Sequence, residues 1–362
     1  MGDRGAKQPV LPRIFSALVR GADRGGSFSL PAGITEGSML VVGSGDVTDL
    51  LFTAPLVNFF RRRFPGVKIT VLAETENAPI VREMMKVDGL ITLDGRQLKL
   101  YRGDYLSLAG KLRKRSYRTA LMPGRHFSLE RALLALASGA DIRIGFGGQG
   151  SAPFMNCEIR LSSDGYEGNK MRRVLQSIGI PRENELPPVT LTQHATAHAR
   201  QLIHFRKPER DTLTVGIDPG RGKTKHRVIS EIVAYLANNL AGRRKAKFLV
   251  LTFPWDEKVV HRFSGELKGE KIDLVPADVA EGIAYLSQCD LFISGNTNLF
   301  HFAAALGVPT VGLFTRSDGG RWVPDNAPNV RIFEGTRGEK LSLNRFFTMV
   351  EEVLSAGSAV TI

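Results

Sequence analysis

Met39-Leu40-Val41-Val42-Gly43-Ser44-Gly45-Asp46 is the stretch on which the fold turns. Four consecutive apolar residues without polar alternation predict a short strand covered on both faces. Two glycines then close a tight turn, and residues 47–64 carry Leu50, Leu51, Ala54, Leu56, Val57 and Phe60 on one broad helical face. Pro65-Gly66 stops that helix, and residues 67–72 predict the next strand. Residues 90–93, 119–122 and 142–146 predict three more. Strands alternating with crossover helices imply a parallel, doubly wound α/β sheet.

The texture changes near Glu185-Leu186-Pro187-Pro188, where a polar helix with His194, His198 and His204 begins. The α/β pattern then restarts, with strands at 213–217, 247–252, 290–293 and 310–314 and helices at 229–240 and 299–306. The expected domains are 38–190 and 191–362, two Rossmann-like halves facing one cleft, after an N-terminal extension at 1–37. Ligands in such folds gather at the carboxyl ends of the strands.

Composition excludes other classes. The 362 residues are 43 % hydrophobic and 23 % charged, a globular balance. Two cysteines, Cys157 and Cys289, supply neither a disulfide framework nor a Cys-rich zinc site. No uncharged apolar run is long enough to span a bilayer, and Arg20 and Asp23 interrupt what would be a signal-peptide core. A soluble, intracellular protein is expected. The net charge of +13 points to a phosphate-bearing partner, and it is concentrated. Between residues 96 and 131 ten basic residues face two acidic ones, and Arg61, Arg62 and Arg63 form a second cluster. The alternative is a solvated helix face. No nucleic-acid-binding motif is present.

Three strand–turn–helix sites have chemical potential. Gly43-Ser44-Gly45-Asp46 places Asp46 at a helix N-terminus, either as a simple cap or as a catalytic carboxylate. It is not a dinucleotide fingerprint, because Thr48 stands at the third glycine position. Asp218-Pro219-Gly220-Arg221-Gly222-Lys223-Thr224-Lys225-His226-Arg227 is a basic glycine-containing loop whose free N–H groups and lysines suit a diphosphate, without P-loop spacing. A solvated loop is the alternative. Ser294-Gly295-Asn296-Thr297-Asn298-Leu299-Phe300-His301 starts a third helix, where His301 either donates to a phosphate or packs in the core. His194 and His198 lack the Glu of a zinc-binding H-E-x-x-H, so no metal site is expected.

Over residues 38–355 these motifs together resemble the lipopolysaccharide heptosyltransferases, the ADP-heptose-dependent glycosyltransferases of family nine. The markers are Gly45-Asp46-Val47, Pro55, Phe64-Pro65-Gly66, Arg143-Ile144-Gly145-Phe146, Thr297, His301, residues 303–310, Leu313-Phe314 and Arg321-Trp322 with Pro324. The resemblance implies a GT-B arrangement and inverting transfer of a sugar, heptose first, from a nucleotide-diphosphate donor to a lipopolysaccharide core or related glycan. Asp46 would be the general base, and no cofactor or metal would be needed. Gly220, Arg221 and Lys225 would meet the donor phosphates, Glu257 the nucleoside ribose, and Asn296, Thr297, Asn298 and His301 the rest of the donor. Arg61, Arg62, Arg63, Arg113, Lys114, Arg115 and Arg118 would bind a phosphorylated, lipid-linked acceptor at the anionic cytoplasmic face of the inner membrane. The family's Asp-[Ser/Thr]-Gly reads Asn296-Thr297-Asn298 here, exchanging a charged acceptor for a neutral one and a glycine able to adopt positive φ for Asn. Another donor sugar, for capsule or protein glycosylation, or a non-catalytic nucleotide- or carbohydrate-binding relative are the competing expectations.

Overall fold

A computed structural model describes residues 36–95, 98–124, 126–146, 154–160, 166–180, 188–205, 212–220, 224–252, 257–272, 274–315, 319–324, 327–335 and 342–358. The chain divides into two compact units, Met1–Ser163 with Asn169–Pro187 and Asp164–Gly168 with Pro188–Ile362. All but the last two residues of the expected 1–37 extension lie outside the described residues.

The first unit runs β1 (Ser38–Val42), α1 (Val47–Arg63), β2 (Lys68–Glu74), α2 (Ala78–Met84), β3 (Gly89–Leu93), α3 (Gly103–Lys114), β4 (Thr119–Met122), α4 (Leu129–Ala137), β5 (Ile142–Phe146), β6 (Cys157–Ile159) and α5 (Lys170–Ser177). Its six strands pair in the order β3-β2-β1-β4-β5-β6, every pair parallel. Residues 39–42 of β1 are all buried, as an unalternating apolar run requires. Leu40 and Val42 join Leu72, Ala120 and Met122 in a core with Ala132 and Ala135 of α4. The sixth strand, Cys157–Ile159, extends the sheet beyond residues 142–146, where the sequence pattern ends it.

The second unit repeats the plan. It runs α6 (Gln193–Phe205), β7 (Leu213–Asp218), α7 (Thr224–Ala241), β8 (Ala246–Val250), α8 (Glu257–Glu266), β9 (Glu270–Lys271), α9 (Val279–Leu286), β10 (Leu291–Gly295), α10 (Asn298–Ala305), β11 (Thr310–Thr315), α11 (Gly319–Trp322), β12 (Val330–Gly335) and α12 (Leu343–Ser358). Its strands pair, all parallel, in the order β12-β11-β10-β7-β8-β9. Counted within each unit, both sheets have the doubly wound order 3-2-1-4-5-6. The connection reverses direction between β1 and β4 in one unit and between β7 and β10 in the other. Ligands bind such sheets at the carboxyl ends of those strands. The turns at 43–46, 218–220 and 296–298 all lie there, because each directly follows β1, β7 or β10.

Packing beneath α10 is tight. Phe300 is fully buried and packs at a tilt against Phe314 with ring centroids 4.6 Å apart. A Cβ on Gly312 of β11 would come within 2.7 Å of the Phe300 ring and 3.1 Å of Ile332 Cγ2. Only the bare backbone of glycine lets the helix seat on the sheet. Gly312→Ala is therefore expected to destabilise the protein by about 1–3 kcal/mol through overpacking, read as a lower urea midpoint with an unchanged slope.

Candidate functional site

In the first unit the strand end, turn and helix start build one pinned carboxylate. Asp46 caps α1, its Oδ1 accepting the Thr48 N–H at 2.8 Å, while the side chain stays exposed. The peptide before it is held at both polar ends. Asn77, itself buried, donates from Nδ2 to the Gly45 carbonyl at 3.1 Å, and Ser44 Oγ accepts the Asp46 N–H at 3.2 Å. Gly45 sits at φ +89°, in the left-handed region, and a Cβ there would collide with Glu74 Oε1 and with Arg131. Those two side chains form an ion pair at 2.6 Å above the glycine. Burial raises the Glu74 carboxyl above its ordinary value, although Arg131 pulls it back. The result is an exposed carboxylate on an over-determined turn, suited to accept a proton at a fixed point.

Ser44, Asp49, Glu74, Asn77, Arg131 and Lys170 hold this turn, and sequence reasoning assigned none of them that role. One local signal was available. Asp46 and Asp49 stand at the N-cap and N3 positions, the spacing of a capping box, in which the N3 side chain reaches back to the N-cap N–H. Here that reach is relayed: Ser44 Oγ donates to Asp49 Oδ2 at 2.6 Å and accepts from Asp46 itself. The other partners come from β2, the turn before α2, α4 and α5, and no local pattern predicts them.

The basic clusters lie elsewhere. Arg61, Arg62 and Arg63 end α1, and Arg113, Lys114, Arg115 and Arg118 surround the step from α3 into β4. A crossover helix runs back to the start of the next strand, so both clusters sit at the amino edge of the sheet, opposite Asp46. The contacts agree. The Arg118 N–H donates to the Ser38 carbonyl at 2.8 Å, the Arg118 guanidinium meets Asp141 at 3.1 Å, and Arg61 pairs with Asp88 beside the start of β2. Burial works to raise the Asp88 carboxyl, but the Ile69 N–H and Arg61 bring it below its ordinary value. Ser116 turns this corner at φ +49°, the one non-glycine residue with positive φ among those described. The expected acceptor-binding cations are thus not brought together with Asp46. Arg96 and Arg125 lie outside the described residues.

In the second unit the donor-side expectations are redistributed. The Gly220 N–H, expected to be free for a diphosphate, donates instead to Asp218 Oδ1 at 2.8 Å, with Gly220 at φ +74°. Helix α7 begins at Thr224 rather than near residue 230, which puts Lys225 in its first turn instead of in a loop. Arg221, Gly222 and Lys223 lie outside the described residues, as do Phe253, Pro254 and Trp255. Glu257 opens α8 with an exposed side chain. Thr297 caps α10, its Oγ1 accepting the Phe300 N–H at 3.4 Å and lying 3.0 Å from Ser294 Oγ. Asn296 and Asn298 flank it, half-buried. Asn298 is the first helical residue, so its position does not call on glycine's left-handed freedom.

His301 packs in the core. It is 5 % exposed, with its ring 5.1 Å from Trp322 and 5.5 Å from Phe300. Burial drives its pKa down to about 4, so near neutrality the imidazole carries no charge with which to attract a phosphate. Because the ordinary value is 6.5, unfolding takes up a proton between pH 6.5 and about 4. Stability from this group is intact above that window, falls as pH drops through it and levels off below. The span is worth on the order of 3 kcal/mol. His301→Phe is expected to flatten the decline of the urea midpoint between about pH 7 and pH 4 relative to the parent protein.

The fold matches known structures along nearly its whole length. A glycosyl transferase family 9 protein from Veillonella parvula superposes with a TM-score of 0.73 at 18 % identity, over 88 % of this chain and 97 % of that one. The E. coli ADP-heptose lps heptosyltransferase II gives 0.68 at 18 % identity, over 89 % and 99 %. E. coli heptosyltransferase WaaC with ADP gives 0.66 at 16 %, over 87 % and 99 %. Curated proteins give no sequence match. The sequence profile described as glycosyltransferase family 9 (heptosyltransferase) matches residues 105–346, about two-thirds of the chain. With its two doubly wound parallel sheets of the GT-B class, the chain belongs to glycosyltransferase family 9.

Proposed function

We propose that the protein transfers a sugar with inversion from an ADP-linked donor to a lipid-linked surface glycan, with Asp46 as general base and no metal. The observation that carries this reading is the exposed Asp46 carboxylate, fixed at the carboxyl end of β1 by Thr48, Ser44 and Asn77. As the acceptor oxygen attacks the anomeric carbon, its proton passes to Asp46. The bond from that carbon to the diphosphate breaks, and the diphosphate departs with the electron pair. Charge on the leaving group is neutralised at the N-terminal turn of α7, where Lys225 stands, and at the N-terminus of α10 behind Thr297. Two structures of one relative, WaaC with ADP and WaaC with ADP-2-deoxy-2-fluoro heptose, support an adenine nucleotide and heptose as the first donor to try. Asn296, with a neutral amide in place of the family's carboxylate, supports a donor with a different pattern of hydroxyls as the second.

Asp46→Ala is expected to lower kcat by about 10²–10⁴-fold, while ADP still raises the thermal midpoint as it does for the parent protein. Undiminished turnover removes Asp46 from the role of base. A bound nucleotide with no turnover of any sugar donor favours a binding protein instead.

The basic amino edge of the first sheet has its own place in this reading. Among the described residues no helix is long and apolar enough to cross a membrane. Arg62, Arg63, Arg113, Lys114 and Arg115 are exposed on an edge separated from Asp46 by the sheet, a five-residue strand spanning about 17 Å. They fit the headgroup phosphates of an anionic membrane, leaving the Asp46 edge to the glycan. Each such cation contributes about 1 kcal/mol near an anionic leaflet. The triple variant Arg113→Gln/Lys114→Gln/Arg115→Gln is expected to sediment less with anionic vesicles while keeping its turnover of a soluble acceptor. Binding by the parent protein that ignores anionic lipid and salt refutes the assignment.

A further inference from the structure

We propose that Lys170 is a positioning residue for the reaction, acting on Asp46 through Asp49 and Ser44; this rests on Asp46 as the base. Lys170 opens α5, and its side chain is only 2 % exposed although it carries an ammonium group. That group pairs with Asp49 Oδ1 and lies 5.6 Å from the centre of the Phe52 ring. Asp49 and Phe52 both belong to α1, so Lys170 is lodged against the helix that Asp46 caps. The other oxygen of Asp49 accepts the Ser44 hydroxyl at 2.6 Å, and Ser44 Oγ accepts the Asp46 N–H at 3.2 Å. Three links thus lead from Lys170, through Asp49 121 positions away in sequence, to the peptide that sets the catalytic carboxylate.

The chemistry of the links gives them direction. A carboxylate shared between an ammonium and a hydroxyl accepts from both, which obliges the Ser44 proton to point at Asp49. The lone pairs of Ser44 are then left for the Asp46 N–H. Without the ammonium, the half-buried Asp49 loses its counter-charge, and its hold on Ser44 changes with it. The turn at Gly45, already left-handed, would keep Asn77 on one side of its peptide but lose orientation on the other. A misplacement of about 1 Å at a reacting group costs on the order of 10²-fold in rate. A simple structural salt bridge would give a different result: it would alter stability while leaving kcat and the dependence on Asp46 alone.

The test compares Lys170→Met and Ser44→Ala, each in the parent and in the Asp46→Ala background. Steady-state kinetics use the best sugar donor found, with donor KM and ADP affinity measured beside kcat. Ser44→Ala removes one hydroxyl and leaves the ion pair in place, so it carries the test if Lys170→Met fails to fold. We expect each variant to lower kcat by about 10- to 100-fold, with donor KM and ADP affinity changed less than about twofold. In the Asp46→Ala background each should add less than about twofold, because residues acting as one unit are not additive. If Asp46→Ala abolishes turnover but Ser44→Ala and any folded Lys170→Met keep kcat within about twofold of the parent, the positioning role is overturned and the base stands. Losses that multiply in full with that of Asp46→Ala also overturn it. Full turnover by Asp46→Ala itself overturns both, since nothing is then left to position.

Discussion

A parallel sheet can be continued only by returning the chain to its starting edge, and in both units helices make most of those returns. This constraint divides each unit's residues by edge before any side chain is considered. Strand ends and helix starts, with their unpaired N–H groups and capping side chains, collect at the carboxyl edge. Helix ends and strand starts collect at the other. Asp46 and Thr297, both N-caps, share the first address in their respective units. Arg61, Arg62 and Arg63 at the end of α1, and Arg113 and Lys114 at the end of α3, share the second, where cations also suit the negative helix terminus. The net charge of +13 is therefore not one field around one site. Arg61–Arg63 and Arg113–Arg118 face away from the candidate base, whereas Arg131 of the same basic run lies beside it.

How far the sequence was legible follows from the range of the forces involved. Strands buried on both faces are uniform apolar runs, so β4 and β5 lie at 119–122 and 142–146, where the pattern alone places them. Short edge strands leave no such run: Cys157–Ile159 and Glu270–Lys271 have too few residues to show a period. The start of α7 was obscured because Thr224, Lys225 and His226 are polar, and the apolar face begins only at Ile229. Asp46 was visible because capping is local, settled within three residues. Lys170 was not, since its partner Asp49 is 121 positions away and an ion pair leaves no periodic trace. The surroundings of His301 are hidden for a related reason, because Trp322 is brought against it from another element.

Two buried charged side chains, Glu167 and Lys170, show how such placement works within each unit. Glu167, with its side chain 4 % exposed, meets Arg321 at 3.5 Å; the Arg321 guanidinium lies 4.9 Å from the Trp322 ring centre, and Trp322 covers His301. Three residues later Lys170 is buried against Asp49. Buried pairs of this kind add little net stability compared with apolar packing of the same volume, because desolvating two charges offsets most of their attraction. What they supply is placement: a charge in low dielectric has one acceptable partner, and breaking the pair is far more costly than never having made it.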